Sequence, residues 1–368
     1  MEKRTKESKK RLKSIILLIA FLAILFIAST YAWFSTQKDV TISNLTGTVN
    51  VAEGLEISLN AKDWSQELDL SKLKITGATN DSYTGNKNIS PSELLPVSTT
   101  GTGAGTIGAT TMQMLSGTNS GSTLKTVVAC DESVTQASAP NYPGYFAFDI
   151  FLRNTSKANT PNVLQLNHNS SVSVLTDSGN ATVGLQNTVR VGLALYGATA
   201  EPLDTDTDII AATTGAGKTI SSVAIWEPNS NSHAAYTINY QKRLYNITIV
   251  DGEETPTKTY AIASSAIGKT LSDVYKLTSG DVAEQKTLKT TKSTDSYKIK
   301  EGVQNLITTT STGDTATNFT IPANKVSRVR VYVWLEGQDV DCINYASYGG
   351  GIDVTLGLVK DTTVGSTT

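Results

Sequence analysis

The sequence predicts an all-β protein: antiparallel β-sheets packed as a jelly-roll-like sandwich with long loop and strand insertions, behind an apolar N-terminal helix. Three observations carry this expectation. Apolar and polar residues alternate strictly along several segments, as at Val329, Val331, Val333 and Leu335 against Arg328, Arg330, Tyr332 and Trp334. Period two marks a strand with a buried face. Ser, Thr, Asn and Gly are abundant while charged residues make up only 17%, a mix that favours strands and turns over long surface helices. No helical periodicity of convincing length follows residue 34, so the second layer is expected to be another sheet.

Taken in order, the chain opens on MEKRTKESKKRLK, with seven Lys/Arg against two Glu. Fourteen residues from Ile15 to Ala28 then carry no charge and no strong hydrogen-bonding side chain. A basic flank before an apolar core is an export signal with its positive end held on the cytoplasmic side. Thr30-Tyr31-Ala32 offers modest residues at the third and first positions before a cut between Ala32 and Trp33. The alternative is an uncleaved anchor, because Ile15 to Phe34 is twenty residues, about enough to span a bilayer. The short apolar core favours cleavage. The expected location is secreted or cell-surface, membrane-anchored where the segment stays uncut.

Within residues 1–32 lie seven of the 31 basic and two of the 33 acidic residues, so the remaining 336 residues hold 24 and 31, a net charge of −7. Such a chain lacks the basic face that nucleic-acid phosphates demand, and its charge suits solubility outside the cell. Its length fits one large β domain with insertions, or two smaller domains. Cys130 and Cys342 are an even pair in an oxidising compartment and are expected to form a disulfide. The alternative is two separate buried thiols. The bridge would close about 212 residues and contribute roughly 5 kcal/mol.

Thr30-Tyr31-Ala32-Trp33-Phe34, closing the apolar core, resembles the processing site of the TasA/camelysin family of exported bacterial proteins. The resemblance implies cleavage by a dedicated ER-type (SipW-type) signal peptidase. It also implies a β-sandwich that assembles, with copies of itself or related subunits, into matrix fibres.

Beyond the leader, Val40-Thr41-Ile42, Val49-Asn50-Val51 and Leu55, Ile57, Leu59 alternate as strands. Asp63 to Leu73 reads as a short helix or covering loop, and Ser98 to Thr123 as a Gly/Thr-rich surface loop with at most a short turn at Met112 to Leu115. Gly144 to Leu152 is apolar on both faces, so it is expected to be central and covered twice. Val163 to Leu175 reads as two short strands turning at Asn167 to Ser171, and Thr188 to Tyr196 as a strand with Val189, Val191, Leu193 and Leu195 on one face and Arg190, Gly192 and Ala194 on the other.

Residues 199–318 are looser and read as an insertion or second subdomain, between a first part at 33–198 and closing strands at 319–360. Strands are expected there at Val223 to Trp226, Tyr236 to Tyr240, Tyr245 to Val250 and Tyr260 to Ser264, with a short helix at Leu271 to Lys276. Residues 361–368 read as a disordered tail. Strands near both ends, with a long insert between, predict that the first and last strands are neighbours in one sheet.

No constellation for catalysis is evident, and the chain is read as a non-enzyme without cofactor. Gly215-Ala216-Gly217-Lys218-Thr219 mimics a phosphate loop, but Ala212 stands where the first motif glycine belongs and no helical pattern follows. Asp204, Asp206 and Asp208 alternate like a calcium loop, yet Ile209 and Gly215 occupy the positions that need Gly and Glu. A solvated acidic loop is expected, with weak calcium binding as the alternative.

Camelysin-type proteins are described as metallopeptidases, but the two histidines, His168 and His233, form no HExxH motif. Glu227 and His233 could meet one metal; a solvated His in a polar loop is the expected reading. No GxSxG elbow occurs, so an extracellular hydrolase is the weakest alternative. Val333-Trp334-Leu335-Glu336-Gly337-Gln338-Asp339-Val340-Asp341-Cys342 resembles segments of other surface proteins with AWF-type leaders. Glu336, Asp339 and Asp341 form either a cation or recognition turn or, as favoured, a strand-end turn clamped by the disulfide. The functional expectation is an exported surface or matrix structural protein, fibre-forming by strand addition through Trp33 to Val51. The alternative is a membrane-tethered adhesin or binding module.

Overall fold

The computed structural model describes residues 47–51, 54–70, 94–99, 109–120, 123–134, 141–155, 161–167, 170–174, 184–229, 232–245, 248–251, 288–289, 303–305, 307–309, 317–337, 339, 341–342 and 351–361. The leader with Ala32 and Trp33, the expected strand Val40 to Ile42, His168, the expected strand Tyr260 to Ser264, the expected helix Leu271 to Lys276 and the tail past 361 lie outside the described residues.

Alternating segments become strands, as the period-two pattern requires. In chain order these begin with β1 (Thr48–Val51), β2 (Leu55–Ser58), β3 (Glu67–Asp69), β4 (Pro96–Thr99), β5 (Met114–Ser120) and β6 (Thr123–Ala129). Next come β7 (Phe146–Asn154), β8 (Asn162–Asn167), β9 (Ser171–Val174), β10 (Val189–Ala200), helix α1 (Asp206–Thr213), β11 (Ile220–Glu227) and helix α2 (Ala235–Tyr245). The chain closes through β12 (Leu288–Lys289), β13 (Val303–Asn305), β14 (Ile307–Thr309), β15 (Thr317–Asn318), β16 (Thr320–Ile321), β17 (Val326–Glu336) and β18 (Ile352–Asp361).

The class is all-β with few helices, and its sheets are mixed rather than purely antiparallel. One sheet runs β13-β8-β18-β1-β3, with β16 on β8 and β9 on β18; the other runs β15-β14-β11-β10-β17-β4-β5-β6, with β7 on β17, β2 on β7 and β12 on β11. Among the described residues the first strand does lie beside the last, Val49 opposite Leu356, but parallel to it. Two further parallel pairs join β4 to β17 and β12 to β11. The described parts of 199–318 supply strands to both sheets.

β17 organises the larger sheet. It pairs with β10 from Val326 to Leu335, with β7 on its other side to Val333, and with β4 at Leu335 and Glu336. One face of these strands, including Phe148, Ile150, Val191, Leu193, Val331 and Val333, belongs to a hydrophobic cluster that also contains Val49, Leu164, Leu166, Val354, Leu356 and Leu358 of the smaller sheet. Each such side chain, fully buried, contributes about 1.5–3 kcal/mol. The double covering expected for β7 holds, with Tyr145, Ala147 and Phe151 also buried.

Four local expectations are overturned. The Gly/Thr-rich stretch carries β4 and β5, and Met112 and Met114 are buried against Trp334 and Tyr332. Glycine and threonine do not prevent pairing where a few large side chains reach a neighbouring face. Of the two readings for Asp63 to Leu73, the loop holds over the described residues to Leu70: it contains the short strand β3 and is held by Asn60 Oδ1 accepting from the Lys62 and Asp63 N–H groups. The aspartates at 204–208 head a helix: Thr205 caps it, accepting from the Asp208 N–H, with acids in the first turn as the dipole favours. Tyr236 to Tyr240 is helical too, its two tyrosines stacked one turn apart with centroids 6.1 Å apart, and the strand expected at Tyr245 to Val250 is absent from its described residues, Tyr245 ending that helix and Thr248 to Val250 carrying no strand. The phosphate-loop mimic is a turn leaving α1, closed by the Lys218 N–H on Gly215 O.

The β1–β18 pairing tolerates no side chain at its entry. A Cβ on Gly47 would stand 1.8 Å from Val354 O. Gly47→Ala is therefore expected to destabilise the fold by roughly 1–3 kcal/mol, read as a lowered denaturation midpoint with faster amide exchange at Leu356 to Leu358. Unchanged exchange there would contradict the pairing.

Candidate functional site

At the start of β10, four chain segments bring ionisable side chains out of water together. The 3₁₀ turn Leu185–Asn187 leads into β10, which aims Arg190 at the face opposite Val189 and Val191. β11 ends at Glu227, and the chain returns through His233 into α2. β17 ends at Glu336, and a turn carries Asp339, Asp341 and Cys342, with Asp339 N–H on Glu336 O and Cys342 N–H on Asp339 O.

Arg190 is the hub, with its side chain fully buried. Its Nη2 reaches Asp339 Oδ2 at 2.6 Å, its Nε lies 3.3 Å from Glu227 Oε1, and its Nη1 donates to the carbonyls of Asn187 (2.8 Å) and Val189 (3.1 Å). Burial alone would lower its proton affinity, but Glu227, Asp339 and Glu336 hold the guanidinium above its ordinary value. Trp334 Nε1 donates to Glu336 Oε2 at 3.1 Å. Asp341 spans to the far side: Oδ2 is 2.7 Å from His233 Nδ1, and Oδ1 accepts from the Ala234 N–H at 3.1 Å. The His233 N–H is itself held by Asp251 Oδ1 at 3.0 Å.

Burial pushes the Asp339 carboxyl up to about 6; Arg190 opposes the rise and Asp341 adds to it. Chemically the cluster fastens four segments and can take up a proton near pH 6. Gly184 makes room for it: at φ 84 it occupies the left-handed region, and a Cβ there would meet Ala234 Cβ at 3.0 Å and Asp341 Oδ1 at 3.3 Å.

Glu336, Asp339 and Asp341 thus come together, but inside the protein, each with its side chain turned to internal partners. Among the described residues no group of three or more His, Cys, Asp or Glu is arranged to hold a metal ion. His233 is not the solvated side chain expected from its polar loop; it is buried on Asp341. Glu227 and His233 sit in the same cluster, Glu227 on Arg190.

The disulfide is also overturned. Cys130 and Cys342 are free thiols. Cys130 is held after β6 by its N–H on Met114 O and packs against the Met112–Trp334 side of the sheet, whereas Cys342 belongs to the charged turn. Burial pushes the Cys130 thiol up to about 12, and burial with Asp339 and Glu336 drives Cys342 well above the usual range. Ions, not sulfur, clamp the strand-end turn.

Sequence reasoning missed Arg190, Trp334 and Gly184 as members of this site. A signal for Arg190 was present: a lone charge on a face otherwise made of Gly192 and Ala194 has small neighbours that invite covering layers.

A second buried charge group lies mid-sheet. Asp149 is 3.3 Å from Arg330 and 3.5 Å from Arg328, and the Arg328 guanidinium lies 3.3 Å from the Tyr196 ring centroid. Comparison of the chain with known protein families, with characterised proteins and with solved structures finds no match.

Three outcomes test the site. Arg190→Met leaves Glu227, Glu336 and Asp339 without their shared cation and should cost about 3–5 kcal/mol in urea unfolding. Asp339 holds its proton more tightly folded than unfolded, so its contribution to stability falls as pH rises from about 4 to 6 and is level above. Wild type should therefore gain about 1 kcal/mol relative to Asp339→Asn between pH 7 and pH 5. Thiol titration should find Cys342 unreactive until the chain is unfolded, and both cysteines reactive in denaturant without reductant.

Proposed function

We propose that the chain is an exported structural subunit of a bacterial surface or extracellular matrix. In this reading its two sheets stack as a jelly-roll-like sandwich, and subunits join by pairing backbone across a sheet edge. The observation that carries it is β6. It pairs with β5 and, among the described residues, with no second strand; such an edge offers backbone donors and acceptors to another chain. The hydrophobic cluster drawn from both sheets supports the sandwich. The leader supports export, with Thr30 to Phe34 resembling the TasA/camelysin processing site and a SipW-type peptidase cutting between Ala32 and Trp33.

The geometry narrows the donor. Of the segment Trp33 to Val51, residues Thr48 to Val51 already pair with β18 and β3 of their own chain. Strand addition then falls to residues 33–46. The partners are other copies or related matrix subunits. The twenty residues from Ile15 to Phe34 keep one further reading open, an uncut leader tethering the body to the membrane as an adhesin or binding module. Among the described residues no helix is long and apolar enough to cross a membrane.

N-terminal sequencing and intact mass of native material should give a chain beginning at Trp33, and one beginning at Met1 would favour the tether. Deleting residues 33–46 should remove the strand-addition contact and weaken assembly. Mature protein that stays monomeric at high concentration with its N-terminus intact would overturn the subunit reading.

A further inference from the structure

Among the described residues three large apolar side chains are exposed: Leu203 at 96%, Val250 at 46% and Tyr236 at 44%. They fall in two places. Leu203 projects from the loop between β10 and α1, among Glu201, Asp204, Asp206 and Asp208, with Lys325 paired to Glu201. This is an acidic knob with an apolar tip. Tyr236 lies on α2, stacked on Tyr240, with Arg243 at the next step of the same helix face and Lys242 beside it. Lys242 and Arg243 are exposed, as are Val250 and Asp251 on the segment that follows. This is an apolar patch with a basic rim.

The two lie at opposite ends of the central strands. The knob leaves the end of β10 where Ala200 pairs with Val326, and α1 packs there on Phe151, Ala200 and Val326. The α2 patch sits at the other end, where the Ala234 N–H binds Asp341 and the Glu336 N–H binds Thr188 O. The twelve residues of β10 span about 40 Å between those two ends.

We infer that the acidic Leu203 knob of one copy docks on the basic Tyr236/Tyr240 face of α2 in the next, a head-to-tail contact between copies of this chain. The charges are complementary, which favours this partner and orientation, and each surface brings an exposed apolar side chain to the contact, Leu203 on one and Tyr236 on the other. Because the surfaces differ and lie at opposite ends of β10, the contact is heterologous and joins copies head to tail. The inference rests on the structural-subunit reading but not on strand addition.

The test is sedimentation velocity with negative-stain imaging on the full chain and its variants, all produced in one host. Leu203→Ser and Lys242→Glu/Arg243→Glu should each weaken association about tenfold or more, and rising salt should weaken the wild type. Mixing Lys242→Glu/Arg243→Glu with Asp204→Lys/Asp206→Lys should restore association. If wild type and variants assemble alike, the contact is overturned while the subunit reading stands. A wild type that stays monomeric at every concentration overturns both.

Discussion

A guanidinium sealed from water constrains everything at one end of this molecule. Arg190 sits in a strand whose neighbours Val189 and Val191 face the main core, so its side chain has only the opposite face to enter. That face is covered, and a buried charge there must be neutralised by partners carried in from elsewhere. The partners come from the end of β11, the end of β17 and the turn beyond it. Asp341 then extends the cluster to His233 and the first residues before α2. One cation thereby fixes where three chain reversals end.

The same logic runs along the middle of β17. Its apolar residues meet the core shared with the smaller sheet, while Arg328, Arg330, Tyr332 and Trp334 are buried against β4, β5, α1 and the residues around Met112. The Tyr332 hydroxyl accepts from the Met112 N–H, and the Tyr196 hydroxyl donates to Thr110 O. A strand with one greasy and one polar face is ordinarily half in water. Here the polar face is interior as well, so its arginines are paired with Asp149 and stacked on tyrosine rather than solvated.

This explains what the sequence could and could not disclose. Period two located β7, β10, β17 and β18, because alternation is a local property of neighbouring residues. The adjacency of β1 and β18 followed from the strands at both ends, but its parallel sense did not, since direction depends on the path between. The hidden layer could not be read: nothing in Ser98 to Thr123 announces that Met112 and Met114 will cover Trp334. The acidic turn was legible as a strand-end turn but was given a disulfide for its clamp, because the cation that holds it stands 149 residues away in sequence at Arg190. The two helices were lost to different causes. α1 carries a Thr205-x-x-Asp208 cap inside a stretch read as a solvated acidic loop, whereas α2 places Tyr236 and Tyr240 where strand propensity outweighs a short helical stretch.

The two ends of the central strands are chemically unlike, and that asymmetry follows from how each is closed. At the Ala200 end, α1 seals the sheet with a small apolar contact, and its cap requires acids at the helix start, facing water. At the Arg190 end, Glu227, Glu336, Asp339 and Asp341 are taken up by the ion cluster while Asp251 stays exposed, and the helix that follows His233 carries Lys242 and Arg243 in its last turn. One end is left acidic and the other basic by the same requirement, that helix dipoles and buried charges be matched locally. A body so polarised along its strands has a direction, and any assembly that uses both ends inherits it.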